Sequence, residues 1–466
     1  MSTPYTFASR LAGVLAALLL GALTLALPAA AQEKAPATKP VINKAEMAEK
    51  VRQQFLHAWN SYKQYAWGHD ELRPLTKTHR DWHSASLLMT PVDALDTMLI
   101  MGLDEEAAAT REFIAANLRF DHDIEVKHFE IVIRILGGLL SSYQMTGDER
   151  LLKLATDLAD RMLPAFDSPT GMPYMYINLK TGKTRGAVSN PAEIGTLIIE
   201  YGALSKFTGK PVYFEKAKRA LVALYERRSK IGLVGSGINV ETGEWTNPRS
   251  HISGLIDSYY EYLLKCSILF DDKGCAETYR TSIAAVNQHL RHTVASGTWY
   301  SRVDMHTAER VATRFGALDA FIPGVLALSG DIDGARPVQE SAYKMWTKWG
   351  IEPEQIDYEK MEIVSPGYVL RPEIIESAYI LYYFTQDPRY LEMGVTFYES
   401  LEKYCRTEAG YAALRNVATK EKRDNMESFF LAETLKYLYL LFAPRETIDL
   451  KTTVFNTEAH PIRKTW

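Results

Sequence analysis

Apolar positions along the chain fall into two alternating kinds of helical run. In the first kind nearly every position is apolar, as in Ile131-Val132-Ile133 running on to Leu139-Leu140, so the helix is buried on all sides. In the second kind one face is polar, as in Leu151 to Leu163, Tyr213 to Tyr225 and Tyr390 to Tyr404, so the helix lies outside. Turn clusters separate the two. They read Thr146-Gly147-Asp148, Thr208-Gly209-Lys210-Pro211, Ser329-Gly330-Asp331 and Thr385-Gln386-Asp387-Pro388, with Phe270-Asp271-Asp272 a weaker copy. Gly, Asp and Pro at these points stop one helix and start the next. The unit recurs about every 60 residues.

Each unit therefore predicts a helical hairpin with an inner and an outer arm. Inner helices are expected at about 82–101, 128–145, 190–207, 254–270, 313–328, 371–384 and 426–442. Outer helices are expected at about 104–118, 147–165, 211–228, 273–292, 332–348 and 387–405, with 44–65 completing the ring. The pattern predicts an all-α fold, a closed α/α barrel; an open solenoid is the alternative. Inner-to-outer turns are short, whereas outer-to-inner loops run about 10 to 25 residues and carry hairpin signals. Examples are Met175-Tyr176-Ile177-Asn178 before Thr181-Gly182 and Ile238-Asn239-Val240 before Thr242-Gly243. These long loops share one face with the heads of the inner helices, and long loops carry function.

Three lone acids, Glu130, Asp257 and Glu373, sit at inner-helix heads on that face. Helix starts favour acids for capping and dipole reasons alone, and Arg371-Pro372-Glu373 is an ordinary start. The surroundings argue for more. Arg134 lies one turn after Glu130 inside an apolar run, Arg371, Glu373 and Glu376 crowd together before Tyr379-Ile380-Leu381, and Asp257 opens an aromatic stretch through Tyr262. Charges in such settings are costly unless paired or functional. The last inner run carries Glu427, Phe429, Phe430 and Glu433, and the tail reads Val454-Phe455-Asn456-Thr457-Glu458-Ala459-His460-Pro461. That tail is either a surface hairpin or a plug offering oxygen ligands to a hard cation such as Ca²⁺.

Composition narrows the class. The chain has 466 residues and a net charge of −4 with both signs dispersed, so it carries no nucleic-acid footprint. Aromatic residues make up 11%, including 26 Tyr and 8 Trp, which suits sugar binding and a large core alike. Arg10, the apolar run Leu11 to Leu27 and Ala29-Ala30-Ala31 form the pattern of a secretory leader over residues 1–31; a membrane anchor is the alternative. Residues 32–42 read as a flexible lead-in, and 43–466 as one barrel domain. Removal of the leader leaves a periplasmic or extracellular chain without stable membrane insertion, expected to act as a monomer. Of the three Cys, Cys266 and Cys275 are the expected pair. No His/Cys spacing reads as a zinc site.

At this point the chain resembles glycoside hydrolase family 47, the class I α-mannosidases that trim α-1,2-linked mannose. The resemblance covers nearly all of the mature chain. It rests on Tyr65-Ala66-Trp67-Gly68-His69-Asp70-Glu71-Leu72-Arg73-Pro74, on Val92-Asp93-Ala94-Leu95-Asp96-Thr97, and on Phe129-Glu130 with Arg134-Ile135-Leu136-Gly137-Gly138. It continues through Asp257-Ser258-Tyr259-Tyr260-Glu261-Tyr262, Leu370-Arg371-Pro372-Glu373 with Glu376-Ser377, Glu427-Ser428-Phe429-Phe430-Leu431-Ala432-Glu433 and Phe455-Asn456-Thr457-Glu458-Ala459-His460-Pro461.

The resemblance implies an (α/α)7 barrel closed by a C-terminal β-hairpin plug, with small β-hairpins in the rim loops. It implies a Ca²⁺-dependent inverting exo-mannosidase acting on mannose-containing oligosaccharides, with Ca²⁺ held by the hydroxyl and carbonyl of Thr457. Glu376, Glu433 and Glu458 match the acids that hold the metal waters, Phe429 the aromatic beneath the sugar, and Arg134 and Arg371 the site arginines. Glu193 and Leu255 join the substrate-binding set. Glu130 matches the general acid, Glu373 the base and Asp257 the third acid. Two departures stand out: Ala317 replaces a usual His, which removes a sugar contact, and Ala320 replaces a Cys found in secretory-pathway members. Leu255 matches members that remove several mannoses. The rival readings are a non-catalytic mannose-binding lectin, which would drop an acid, and another α/α-barrel enzyme such as a sugar epimerase or polysaccharide lyase. An epimerase calls for a His pair at the rim, where the helix heads offer only His83 and His128.

Overall fold

The structure, a computed structural model, describes residues 42–466. The expected leader and the lead-in up to residue 41 lie outside the described residues.

Among the described residues, seven inner helical segments alternate with seven outer helices. The inner segments are Met89–Ile100, the run 128–146, Pro191–Gly195 with Ile198–Thr208, Asp257–Phe270, Leu318–Phe321 with Ile322–Leu328, Glu373–Thr385, and Phe430–Thr434 with Leu435–Phe442. The outer helices are Lys44–Tyr65, Asp104–Asn117, Glu149–Met162, Val212–Glu226, Lys273–His289, Ile332–Trp349 and Pro388–Ser400. Each inner segment packs on the next, and the last returns, through Phe430–Thr434, to Met89–Ile100. The ring is closed, so the barrel forms rather than the open solenoid. An inner helix that is apolar all round needs partners on both flanks, and only closure supplies them to the first and last.

The repeated turns work through local hydrogen bonding. Gly147 and Gly209 end their inner helices in the left-handed region, at φ 70° and 73°. Where the turn carries an Asp, it caps the outer helix: Asp148 accepts from the Arg150 N–H and Asp387 from the Arg389 N–H. The Thr that precedes ties the two together, since Thr146 Oγ1 donates to the Ser142 carbonyl and accepts from the Asp148 N–H. Cys266 and Cys275, flanking the Asp271-Asp272 copy of this turn, form a disulfide.

Several inner helices start later than the apolar pattern predicts. The run expected from residue 82 becomes helical only at Met89. Asp70 is the cause: its carboxylate accepts from the backbone N–H groups of Trp82, Leu87 and Met89, holding 82–88 in an irregular path and capping a helix that lacks a side-chain cap of its own. The run expected from 313 opens as a strand, Arg314–Gly316. The run 190–207 breaks at Thr196 and Leu197, where Thr196 Oγ1 donates to Ser258 Oγ (2.8 Å) and Gly195 lies against the Tyr259 ring.

The rim loops form small antiparallel sheets that link neighbouring units. Glu125–Lys127 pairs with Tyr176–Asn178, which pairs with Thr184–Arg185. Val188–Ser189, Gly237–Asn239 and Trp245–Asn247 repeat the arrangement. Both hairpins expected from the sequence are present. At the end of the chain, Thr453–Phe455 pairs with Pro461–Arg463 and the turn between them enters the ring. Asn456 anchors it: its amide donates to the Ile133 carbonyl and Glu200 (both 2.8 Å), and its oxygen accepts from the Glu458 and His460 N–H groups. Gly137 and Gly138 permit this approach. A Cβ on Gly137 would lie 2.5 Å from Asn456 Nδ2, and one on Gly138 would lie 3.1 Å from His460 Cε1. The tail is therefore a plug and not a surface hairpin.

Candidate active site

The three acids at inner-helix heads meet in one place. Glu130 is the third residue of His128–Ile131, while Asp257 and Glu373 each open their helices. They line a cavity of about 250 Å³ inside the ring. The cavity also contains the other nine residues nominated from the sequence: Arg134, Glu193, Leu255, Arg371, Glu376, Phe429, Glu433, Thr457 and Glu458. None of the nominated residues lies elsewhere.

Arginines organise the acids. Arg134 Nε donates to Glu130 (3.1 Å), and its Nη1 bonds Glu458 and lies 3.7 Å from Asp93. Arg371 makes a forked contact with Glu354 (3.1 and 3.3 Å) and lies 3.9 Å from Glu373. Both guanidinium groups stand over the Phe429 ring, at 5.6 and 5.7 Å, and Arg134 also stands 5.3 Å from the Trp82 ring centroid. Phe429 is therefore in contact with both cations, with the ring at the cavity wall.

The sequence reading passed over four residues that shape this site. Lys127 bonds Glu193 (2.6 Å) and approaches Glu130 (3.8 Å). Glu261, paired with Lys265, lines the cavity, and Lys265 also lies 3.8 Å from Glu376. Glu354 reaches Arg371 from a rim loop. Lys265 at i+4 from Glu261 was the one available local signal; Lys127 and Glu354 belong to loops whose position only the rim sheets decide. His128, by contrast, is structural: buried, it shares a hydrogen bond with the Tyr201 hydroxyl (2.8 Å), and burial pushes its pKa down to about 3.

Electrostatics make the cavity unusual. Eight carboxyl groups line it (Glu130, Glu193, Asp257, Glu261, Glu373, Glu376, Glu433, Glu458) against three cations (Lys127, Arg134, Arg371). Burial pushes Asp257, Glu193 and Glu373 up to about 7, and Glu376 and Glu458 up to about 8. Glu433 is also raised, by burial and then by the neighbouring Glu458, Glu373 and Glu376. At the floor, the Thr457 N–H donates to the Tyr262 hydroxyl (3.1 Å), while among the described residues no hydrogen bond engages the Thr457 hydroxyl or carbonyl oxygen. Buried acids in excess over cations, beside two unengaged hard oxygens, form the donor chemistry that suits a hard divalent cation. A group poised near neutrality in a cleft is equally the equipment of acid/base catalysis.

Comparison with known proteins agrees with this geometry. The family described as Glycosyl hydrolase family 47 matches residues 54–464. Alpha-mannosidase I MNS5 of Arabidopsis thaliana is 38% identical over 451 residues, covering 91% of this chain and 78% of that protein. Mannosyl-oligosaccharide 1,2-alpha-mannosidase IB of Homo sapiens is 36% identical over 448 residues, covering 90% of this chain and 70% of that protein. The solved alpha-1,2-mannosidase from Trichoderma reesei superposes with a TM-score of 0.84 at 26% identity, over 90% of this chain and 99% of that one. With its family match spanning nearly all the described residues, the chain belongs to glycosyl hydrolase family 47 and is a glycoside hydrolase.

Proposed function

We propose that this chain is an exported, Ca²⁺-dependent, inverting exo-α-1,2-mannosidase that releases terminal α-1,2-linked mannose from mannosides or high-mannose glycans. The observation that carries the reading is the convergence of Glu130, Asp257 and Glu373 on one cavity floored by Thr457. The α-1,2 linkage follows from the relatives, one named a 1,2-alpha-mannosidase and one solved as an alpha-1,2-mannosidase.

The terminal mannose enters from the rim and packs on Phe429. Arg134 and Arg371, held by Glu458, Glu130 and Glu354, keep their fixed donors toward its hydroxyls. Glu373 takes a proton from water at the anomeric carbon. Glu130, alone or through a water, delivers a proton to the leaving oxygen, and Asp257, raised to about 7, is a second proton source in reach of the same cavity. Glu376, Glu433, Glu458 and Thr457 are the residues that would hold Ca²⁺ and its waters. When bound, the ion supplies oxygen coordination to the sugar hydroxyls and offsets the carboxylate charge. Leu255, half-exposed at the mouth with φ 83°, borders the region where the remainder of the glycan lies.

Proton NMR of the sugar released from α-1,2-mannobiose tests the reading. Direct displacement by water gives β-mannose first, and only when Ca²⁺ is present. Release of α-mannose first rules out inversion, and no release of mannose favours the lectin alternative.

A further inference from the structure

We propose that His69, His79 and Asp81 form a binding site for one late first-row divalent transition ion, such as Zn²⁺, Ni²⁺ or Cu²⁺, on a rim hairpin. The hairpin pairs Glu71–Arg73 with Thr78–Arg80 and sets His79 opposite Leu72. This brings the His69 and His79 rings to 3.4 Å between centroids, 11° from parallel. Asp81 Oδ2 lies 2.8 Å from His69 Nδ1. One ligand atom from each of the three residues lies within 4.8 Å of the other two. The linear spacing of these residues does not read as a metal motif; the hairpin creates the cluster.

Two of the three ligands are already held. Asp81 Oδ1 accepts the Asp70 N–H (2.9 Å), and the His69 carbonyl accepts the Tyr62 hydroxyl (2.6 Å). The first contact orients the Asp81 carboxylate and the second fixes the backbone that carries His69. His79 is exposed, so its ring turns toward the other two without moving the core. Two imidazoles and a carboxylate select borderline transition ions over Ca²⁺ or Mg²⁺, which take oxygen ligands. Three protein ligands leave further coordination positions to water. When His69 donates through Nδ1 to Asp81, the ion takes the place of that shared proton and the Nδ1 lone pair becomes the metal bond: a neutral ring carries its proton on Nε2 instead, and a doubly protonated ring releases the Nδ1 proton to solvent. The site is separate from the sugar cavity, which none of the three residues lines. Trp82, the residue after Asp81, stands over Arg134 and donates to Glu71 (2.8 Å). A bound ion would therefore clamp the hairpin next to Trp82, which stands beside the cavity residue Arg134.

The test uses the untagged chain with Ca²⁺ retained. Calorimetric titration with Zn²⁺ at neutral pH should give saturable binding of one ion per chain. His79→Ala, at an exposed position, should weaken it by at least about tenfold while leaving the unfolding temperature of the ion-free chain unchanged. With Cu²⁺, electron paramagnetic resonance should show nitrogen coupling from two imidazoles in the wild type and one in His79→Ala. Absence of saturable binding, binding unchanged by His79→Ala, or a Cu²⁺ spectrum without two-imidazole coupling overturns the assignment.

Discussion

His460 Nδ1 lies 2.6 Å from Asp96 Oδ2, and both side chains are completely buried. The contact joins the terminal plug to the first inner helix. Asp96 also takes Lys436 (2.7 Å) from the last inner helix, and Lys436 donates to the Ala459 carbonyl. Burial opposes a charged His460, but Asp96 and Asp93 outweigh it and raise its pKa from 6.5 to about 9.

This cluster predicts a specific loss of stability at alkaline pH. Because the folded value is raised, the contribution is complete below about pH 6.5 and disappears as pH rises through about 9. Its ceiling is about 3 kcal/mol. Urea unfolding across that window should show the decline in the wild type, and His460→Gln should be less stable at low pH with a flatter profile. A wild-type stability independent of pH between these limits would contradict the buried imidazolium.

Glu373→Gln should lower turnover by about 10²–10⁴-fold while leaving folding and ligand binding nearly intact. A wild-type rate in this variant would exclude Glu373 as base. As a base it works ionised, so activity should rise with pH through an acid limb. Burial sets that limb near 7, and a bound cation moves it to lower pH by favouring the carboxylate.

The division of labour between Glu130 and Asp257 is measurable through the leaving group. A variant lacking the general acid should lose most activity on α-1,2-mannobiose and retain far more on α-mannosyl fluoride, whose leaving group needs little protonation. Glu130→Gln should behave this way and Asp257→Asn should not; the reverse outcome transfers the role.

Chelation by EDTA should abolish activity, and Ca²⁺ should restore it and raise the unfolding temperature by mass action. Thr457→Ala should require more Ca²⁺ for both effects. Full activity in a verified metal-free sample would refute the metal dependence.

Gly138→Ala should destabilise the barrel by about 1–3 kcal/mol, because its Cβ would meet Val92 Cγ1 at 2.8 Å and the Val92 carbonyl at 3.0 Å. Gly147→Ala has open space around it and should cost less, from its left-handed backbone alone. Thermal unfolding of the two variants distinguishes steric from conformational cost.

The sequence alone determined the repeat, the inner and outer helix faces and the turn chemistry. These depend on neighbours a few residues apart: the polar face of 151–163 and the Thr146-Gly147-Asp148 turn are local facts. It also brought the acids to one rim, because helix heads in a ring share a face. The helix starts were decided elsewhere. Asp70 holds 82–88 out of the first inner helix from a distant loop, and no periodicity encodes that. The same holds for Lys127 beside Glu193, for Glu354 on Arg371 and for His69 against His79, each set by the pairing of rim strands. Above all, burial is a tertiary quantity. Glu373 is an ordinary helix-capping acid in the sequence, and only the closed ring removes the water that would keep its pKa low.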